Sequence, residues 1–256
     1  MKTRLSVNLN KVALIRNSRD ITIPDIKAAA GTCIEYGATG ITVHPRPDQR
    51  HIRVTDVTDL NLLLKQSYPE IEFNIEGNPY SASEANGYPG FITLVEQALP
   101  HQCTLVPDDP VQLTSDHGWD LSESSESLRP IVNHLRSLNI RVSLFMDPIA
   151  DQIRAAADLG VDRIEFYTGP FADTFGSPEQ EAVLTEFILC GELANSLGLE
   201  INAGHDLNLN NLATFCSSVK NVREVSIGHA LITDALWLGL PEAVTQYQQI
   251  LNSVDG

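Results

Sequence analysis

In this 256-residue chain the groups best suited to moving protons are a few histidines and carboxylates, and their positions say more than their number. His44, His205 and His229 each follow a short, largely β-branched run, and His51 lies a few residues beyond the first of these runs. Glu76 and Glu165 fall at the end of, or within, two further runs, Glu72–Ile75 and Arg163–Phe166. An imidazole titrates near neutrality and can accept or donate a proton, so several imidazoles gathered with two carboxyls imply proton transfer in more than one step. His101 precedes a strand, His117 sits in a polar loop and His134 on a helix, and no chemistry is expected of them. A second chemistry is anion binding. Ser226–Ile227–Gly228–His229–Ala230 runs from a strand through glycine into a helix, where open backbone N–H groups and the helix dipole favour a phosphate. Arg19 and Arg46 offer forked donors for a second anion.

Charge supports that reading once it is located. The net charge is −16, which opposes a nucleic-acid partner or an anionic membrane surface. The first 53 residues nevertheless carry nine Lys/Arg against four acids, a cationic island suited to a small phosphorylated substrate. No HxH, HExxH or clustered-Asp motif points to a metal, and no GxGxxG or GxxxxGK[ST] loop to a nucleotide, so neither a metal nor a cofactor is expected. The four cysteines are widely spaced and are expected to be small buried hydrophobes. No apolar run approaches membrane-spanning length and the N-terminus lacks a continuous signal core, so a cytoplasmic location is expected.

The elements that must position these groups follow from hydrophobic period. Candidate strands are Leu5–Leu9, Gly40–Val43, Glu72–Ile75, Thr104–Val106, Arg141–Phe145, Arg163–Phe166, Glu200–Ala203 and Glu224–Ile227, alternating with stretches of helical spacing. Eight such units in this length predict one domain spanning 1–256, a (β/α)8 TIM barrel with additional helices; a doubly wound open sheet is the alternative. Asp25 is expected to start one helix, Ser122 and Ser124 to precede an amphipathic stretch at Leu128–Leu135, and Asp147–Pro148 to open another helix. In a parallel barrel the functional face lies at the C-terminal ends of the strands. There the strands deliver Asn8, Asn10 and Lys11, then His44 and Arg46, Asn74 and Glu76, Glu165 and Thr168, Asn202 and His205, and Gly228 and His229. Alternation puts Asn74 and Glu76 on the face opposite Phe73 and Ile75, pointing inward. An inward carboxyl such as Glu76 is expected to have a raised pKa.

The segments VNLN at Val7–Asn10, RNSR at Arg16–Arg19, GITVHPR at Gly40–Arg46, Arg50–His51–Ile52, Asn74–Ile75–Glu76, Leu105–Val106–Pro107, Ile164–Glu165, NAGH at Asn202–His205 and IGHA at Ile227–Ala230 together resemble the pyridoxine 5′-phosphate synthase family, in order and over essentially the whole chain. The resemblance implies a cofactor-free (β/α)8 transferase of vitamin B6 biosynthesis, assembled as a homo-octamer. It would condense 1-deoxy-D-xylulose 5-phosphate with 3-amino-2-oxopropyl phosphate to give pyridoxine 5′-phosphate, phosphate and water. It further implies that His44 and Glu76 accept protons, His205 donates one, and Glu165 stabilises charged intermediates. Asn8, Arg19 and the Gly228–His229 turn would hold the aminoketone phosphate; Arg46, His51 and Thr114 would hold the pentulose phosphate. Asn10 and Lys11 stand where the family commonly has an Asp–His pair, and Asp206 where it commonly has glycine; these three are expected to face substrate. Residues Gly77–Pro89 form a longer loop than usual, a surface insertion near the entrance. The residues alone also fit a metal-assisted sugar-phosphate aldolase or epimerase, or a metabolite-binding protein without chemistry.

Overall fold

The computed structural model describes residues 2–254 apart from 20 and 110. Its strands are β1 (Arg4–Asn8), β2 (Gly40–Val43), β3 (Glu72–Gly77), β4 (Gln102–Leu105), β5 (Arg141–Met146), β6 (Arg163–Phe166), β7 (Glu200–Ala203) and β8 (Val222–Ile227). All neighbours pair in parallel, and β1 pairs with β8 to close the barrel. The expected strands are therefore all present, three with the expected bounds and five differing by one or two residues at one end or both.

The helices follow in chain order. After β1 come α1 (Asn10–Asn17) and α2 (Ile26–Glu35), after β2 α3 (Val54–Ser67), after β3 α4 (Phe91–Ala98), after β4 α5 (Leu121–Ser137) and after β5 α6 (Ala150–Leu159). Then α7 (Gly169–Thr174) and α8 (Gln180–Ser196) follow β6, α9 (Leu212–Ser218) follows β7, and α10 (His229–Leu238) and α11 (Leu240–Val254) follow β8. Among the described residues, no helix is long and apolar enough to cross a membrane.

Local chemistry sets the helix ends. Asp25 accepts hydrogen bonds from the N–H groups of Lys27 and Ala28 and so starts α2. The start of α5 differs from expectation: Asp120 accepts from Ser122 N–H, and the helix begins at Leu121 and runs through Pro130. Ser122 and Ser124 therefore lie inside its first turns, because their hydroxyls bond back to Asp120 instead of breaking the helix. Cys33, Cys103 and Cys190 are buried as expected; Cys216 is only partly so, being on the short α9.

Alternation along each strand divides the barrel into two environments. Val7, Ile41, Phe73, Ile75, Cys103, Leu144 and Ile164 belong to the apolar core that packs under the helices. The alternate positions are polar: register pairs Asn8 with Thr42, Thr42 with Asn74, Glu76 with Thr104 and Glu165 with Asn202. At the N-terminal end of the barrel these inward residues are ions. Glu72, buried, takes Arg141 at 2.8 Å, Arg4 at 3.2 Å and Arg163 at 3.5 Å. Arg163 also donates to Glu200 at 2.7 Å and to Gln102 at 3.0 Å.

Replacing Arg163 with Met leaves the buried Glu72 and the half-buried Glu200 each short of a partner. Arg163→Met is therefore expected to cost about 3 kcal/mol, read as a lower urea midpoint; an unchanged midpoint would show that Arg4 and Arg141 suffice for Glu72.

Candidate active site

At the opposite end of the barrel the strand ends and following loops enclose a cavity of about 510 Å³. It is lined by Asn8, Asn10, Lys11, His44, Arg46 and His51 from the first two units, and by Glu76, Thr114 and Glu165 from the third, fourth and sixth. His205, Asp206, Gly228 and His229 complete the set from the last two. Of the expected site residues, Arg19 alone does not line the cavity; it is exposed on the turn that ends α1. Its neighbours in the RNSR segment are spent on architecture. Arg16 makes a buried two-pronged ion pair with Asp56, and Asn17 donates to the His51 carbonyl at 2.7 Å, which fixes the β2–α3 loop.

The first strand end is held by its own amides. Asn8 Oδ1 accepts from Asn10 N–H at 3.0 Å, and Asn10 Oδ1 accepts from His44 N–H at 2.9 Å, tying the end of β1 to the end of β2. Gly228 permits a close approach here, since a Cβ on it would lie 3.0 Å from the Asn8 Cβ. Gly228 caps the N-terminus of α10, whose first residue is His229, so the start of that helix faces the cavity.

The carboxyls are controlled by burial. Glu76 accepts from Asn8 Nδ2 at 3.3 Å and from Asn74 Nδ2 at 3.4 Å. Burial, then the charges of Asp108 and Glu224, push its pKa up to about 8. Glu165 is pushed well above the usual carboxylate range by burial first, then by Glu76 and Glu224. The histidines of the second loop move the other way. Burial, then the cation of Arg46, lowers His44 to about 3, and burial lowers His51 to about 3 as well. His44 thus stands neutral between two carboxyl groups, with Nδ1 3.9 Å from Glu76 Oε2 and Nε2 3.4 Å from Asp108 Oδ2. His51 Nδ1 accepts from Ile52 N–H at 2.9 Å, so the neutral ring carries its proton on Nε2 and is a fixed donor.

Several residues at or directly behind this rim were not expected from the sequence. Asp108, in the long loop after β4, is buried and accepts from Arg46 Nη2; burial pushes its carboxyl up while Arg46 opposes the shift. Arg50 lines the cavity beside His51. Both arginines also reach one carbonyl: Arg46 Nη1 donates to Gln112 O at 3.0 Å and Arg50 Nη1 donates to the same oxygen at 2.9 Å. Tyr167 and Phe145 add aromatic walls, and Tyr167, as the residue just past β6, could have been found by counting from the strand end. The loop after β3 is anchored rather than loose: Tyr88 is buried with its hydroxyl donating to the Pro45 carbonyl, and Asn86 Nδ2 donates to the Pro47 carbonyl at 2.8 Å.

Residues 5–253 match the family model of the pyridoxal phosphate biosynthesis protein PdxJ. A pyridoxine 5′-phosphate synthase of Xylella fastidiosa (strain 9a5c) is 50% identical over 254 residues, covering 99% of this chain and 96% of the relative. One from Xanthomonas oryzae pv. oryzae (strain PXO99A) is 50% identical over 251 residues, covering 98% and 97%. Among solved structures, a 3-keto-L-gulonate-6-phosphate decarboxylase from Vibrio cholerae superposes with a TM-score of 0.64 at 13% identity, covering 99% of each chain, a likeness of fold alone.

The buried carboxyls make stability depend on pH. Glu76 titrates at an ordinary 4.5 when solvated and at about 8 in the fold, so between these values the folded protein holds a proton that the unfolded chain has released. The contribution of this proton to stability is therefore full below pH 4.5 and is lost as the pH rises through 8, at up to about 1.4 kcal/mol per pH unit. His44 and His51 act oppositely, but only between about 3 and 6.5. The thermal midpoint is thus expected to fall from pH 6.5 to 8, and to fall less in Glu76→Gln; equal slopes would show that Glu76 is not held protonated.

Proposed function

The chain belongs to the pyridoxal phosphate biosynthesis protein PdxJ family, and on that premise we propose that it is a pyridoxine 5′-phosphate synthase that works by acid–base catalysis with its own side chains. Its substrates are 1-deoxy-D-xylulose 5-phosphate and 3-amino-2-oxopropyl phosphate; its products are pyridoxine 5′-phosphate, phosphate and water. The observation that carries this reading is the meeting of Glu76, His44, Glu165 and His205 in one cavity, whose lining also includes Arg46, His51, Thr114 and the Gly228–His229 turn.

Joining an amine to a ketone, expelling water and phosphate, and aromatising the ring moves protons repeatedly with no net change of oxidation state. A carboxyl with a pKa near 8 suits that work, because it gives up and regains a proton at little cost near neutral pH. Glu76 and the neutral His44, neighbours across 3.9 Å, are the proton acceptors. His205, whose Nε2 faces Thr114 across 3.1 Å, is the donor. Glu165, also buried in the cavity wall, is assigned to stabilising charged intermediates by family likeness.

The two phosphates have separate holders. The start of α10 at Gly228 and His229, with Asn8 beside it, takes the aminoketone phosphate. Arg46, His51 and Thr114 take the pentulose phosphate, with the Nε2–H of His51 as a fixed donor and Arg50 alongside. Lys11 lies close enough to bear on His51 and Asp206 through its charge, which suits it to the sugar hydroxyls or phosphate. Arg19 is assigned to the aminoketone phosphate by family likeness alone, since it lies outside the cavity. Self-association, to an octamer by the same likeness, is supported by the exposed Leu236 and Trp237 on α10, and the cytoplasm is the expected location.

The purified protein with both substrates should release inorganic phosphate and form fluorescent pyridoxine 5′-phosphate; a folded chain that does neither overturns the reading. Glu76→Gln keeps the shape and removes the proton acceptor, so kcat should fall about 100-fold or more with KM within about threefold. A raised KM with kcat unchanged would assign Glu76 to binding instead.

A further inference from the structure

Directly after His205 stands a carboxylate whose position is closely built. Asp206 Oδ2 accepts from His205 Nδ1 at 2.8 Å. Its backbone has φ +65°, a left-handed conformation, and its carbonyl accepts from the side-chain amides of Asn208 and Asn211 at 3.4 Å each. The preceding Gly204 lies against β8 so closely, at φ +148°, that a Cβ would be 2.1 Å from the Ser226 carbonyl oxygen. The His205 ring is held edge-on by Tyr167 at 5.2 Å and by Phe145 at 6.1 Å. Its remaining nitrogen, Nε2, lies 3.1 Å from the Thr114 hydroxyl at the cavity.

We propose that Asp206 is a positioning residue for His205, holding the proton of the neutral ring on Nδ1 so that Nε2 is the nitrogen that exchanges protons with substrate. The proposal rests on the acid–base reading above. A carboxylate on Nδ1 does two things: it selects one tautomer, and it stabilises the imidazolium formed when Nε2 takes up a proton. That proton leaves again from Nε2 to the substrate, which restores the neutral ring, and Asp206 stays ionised throughout. The hydrogen bond from His205 holds the Asp206 carboxyl below the usual range against its partial burial, helped by the charges of His205, His229 and Lys11. Thr114 then donates its hydroxyl to the Nε2 lone pair, which agrees with the same tautomer.

The test separates this proposal from the function itself. Imidazole ¹⁵N spectra of the substrate-free protein report the His205 tautomer whatever reaction it performs, whereas a wild-type protein that makes no product would count against the function alone. Asp206→Gly keeps a residue at home at this φ and removes the partner. Its His205 spectrum is expected to lose the Nδ1–H pattern, and kcat to fall about tenfold to a hundredfold with KM for both substrates within about threefold, the scale of one lost charge-assisted hydrogen bond. Asp206→Asn, whose amide oxygen can take the same bond, should recover the tautomer and part of kcat. An Nδ1–H pattern that survives in Asp206→Gly, or an unchanged kcat there, overturns the proposal.

Discussion

An acid placed where water cannot reach must find a cation or keep its proton. This barrel does both, at opposite ends of one polar interior. At the N-terminal end Glu72 is surrounded by Arg4, Arg141 and Arg163 and is an ion. At the mouth Glu76 and Glu165 have amide and hydroxyl neighbours but, among the described residues, no Lys or Arg partner, and their pKa values rise. Glu224 lies between, with neither carboxyl oxygen hydrogen-bonded among the described residues, and burial followed by the charge of Glu72 pushes it up to about 8. The same strands thus supply rigid ionic packing below and proton-holding groups above, because successive inward positions fall two residues apart.

The histidines show a related division. His44 and His51 lie deep beside arginines and are kept neutral; His205 lies nearer the solvent and is paired with a carboxylate. A neutral ring accepts or donates at a chosen nitrogen, while a ring backed by a carboxylate can carry charge for part of a cycle. One rim therefore offers both kinds of imidazole for a reaction that adds and removes protons several times.

Much of this was legible in the sequence, for a definite reason. Strands announce themselves by β-branched runs, and a residue's distance from the end of such a run fixes whether it meets the cavity, so Asn8, His44, Glu76, Glu165, His205 and Gly228 could be placed by counting. Asp108 and Arg50 could not, because they sit in irregular loops whose shape depends on long-range partners such as the Gln112 carbonyl. Arg19 has the right type in a promising segment, yet α1 turns it outward while Arg16 and Asn17 bond inward. The serines ahead of the amphipathic stretch of α5 looked like a helix boundary, but Asp120, one residue earlier than the helix, satisfies the backbone there.

The shared carbonyl of Gln112 joins two excursions that are far apart in sequence. With Arg46 and Arg50 both bound to it, the β2–α3 segment and the segment after β4 form one mechanical piece. Anyone grafting either segment into another barrel, or shuffling homologous fragments, would need to move both together. A chimera that inherits one without the other would take this shared carbonyl away from both guanidinium groups beside the entrance.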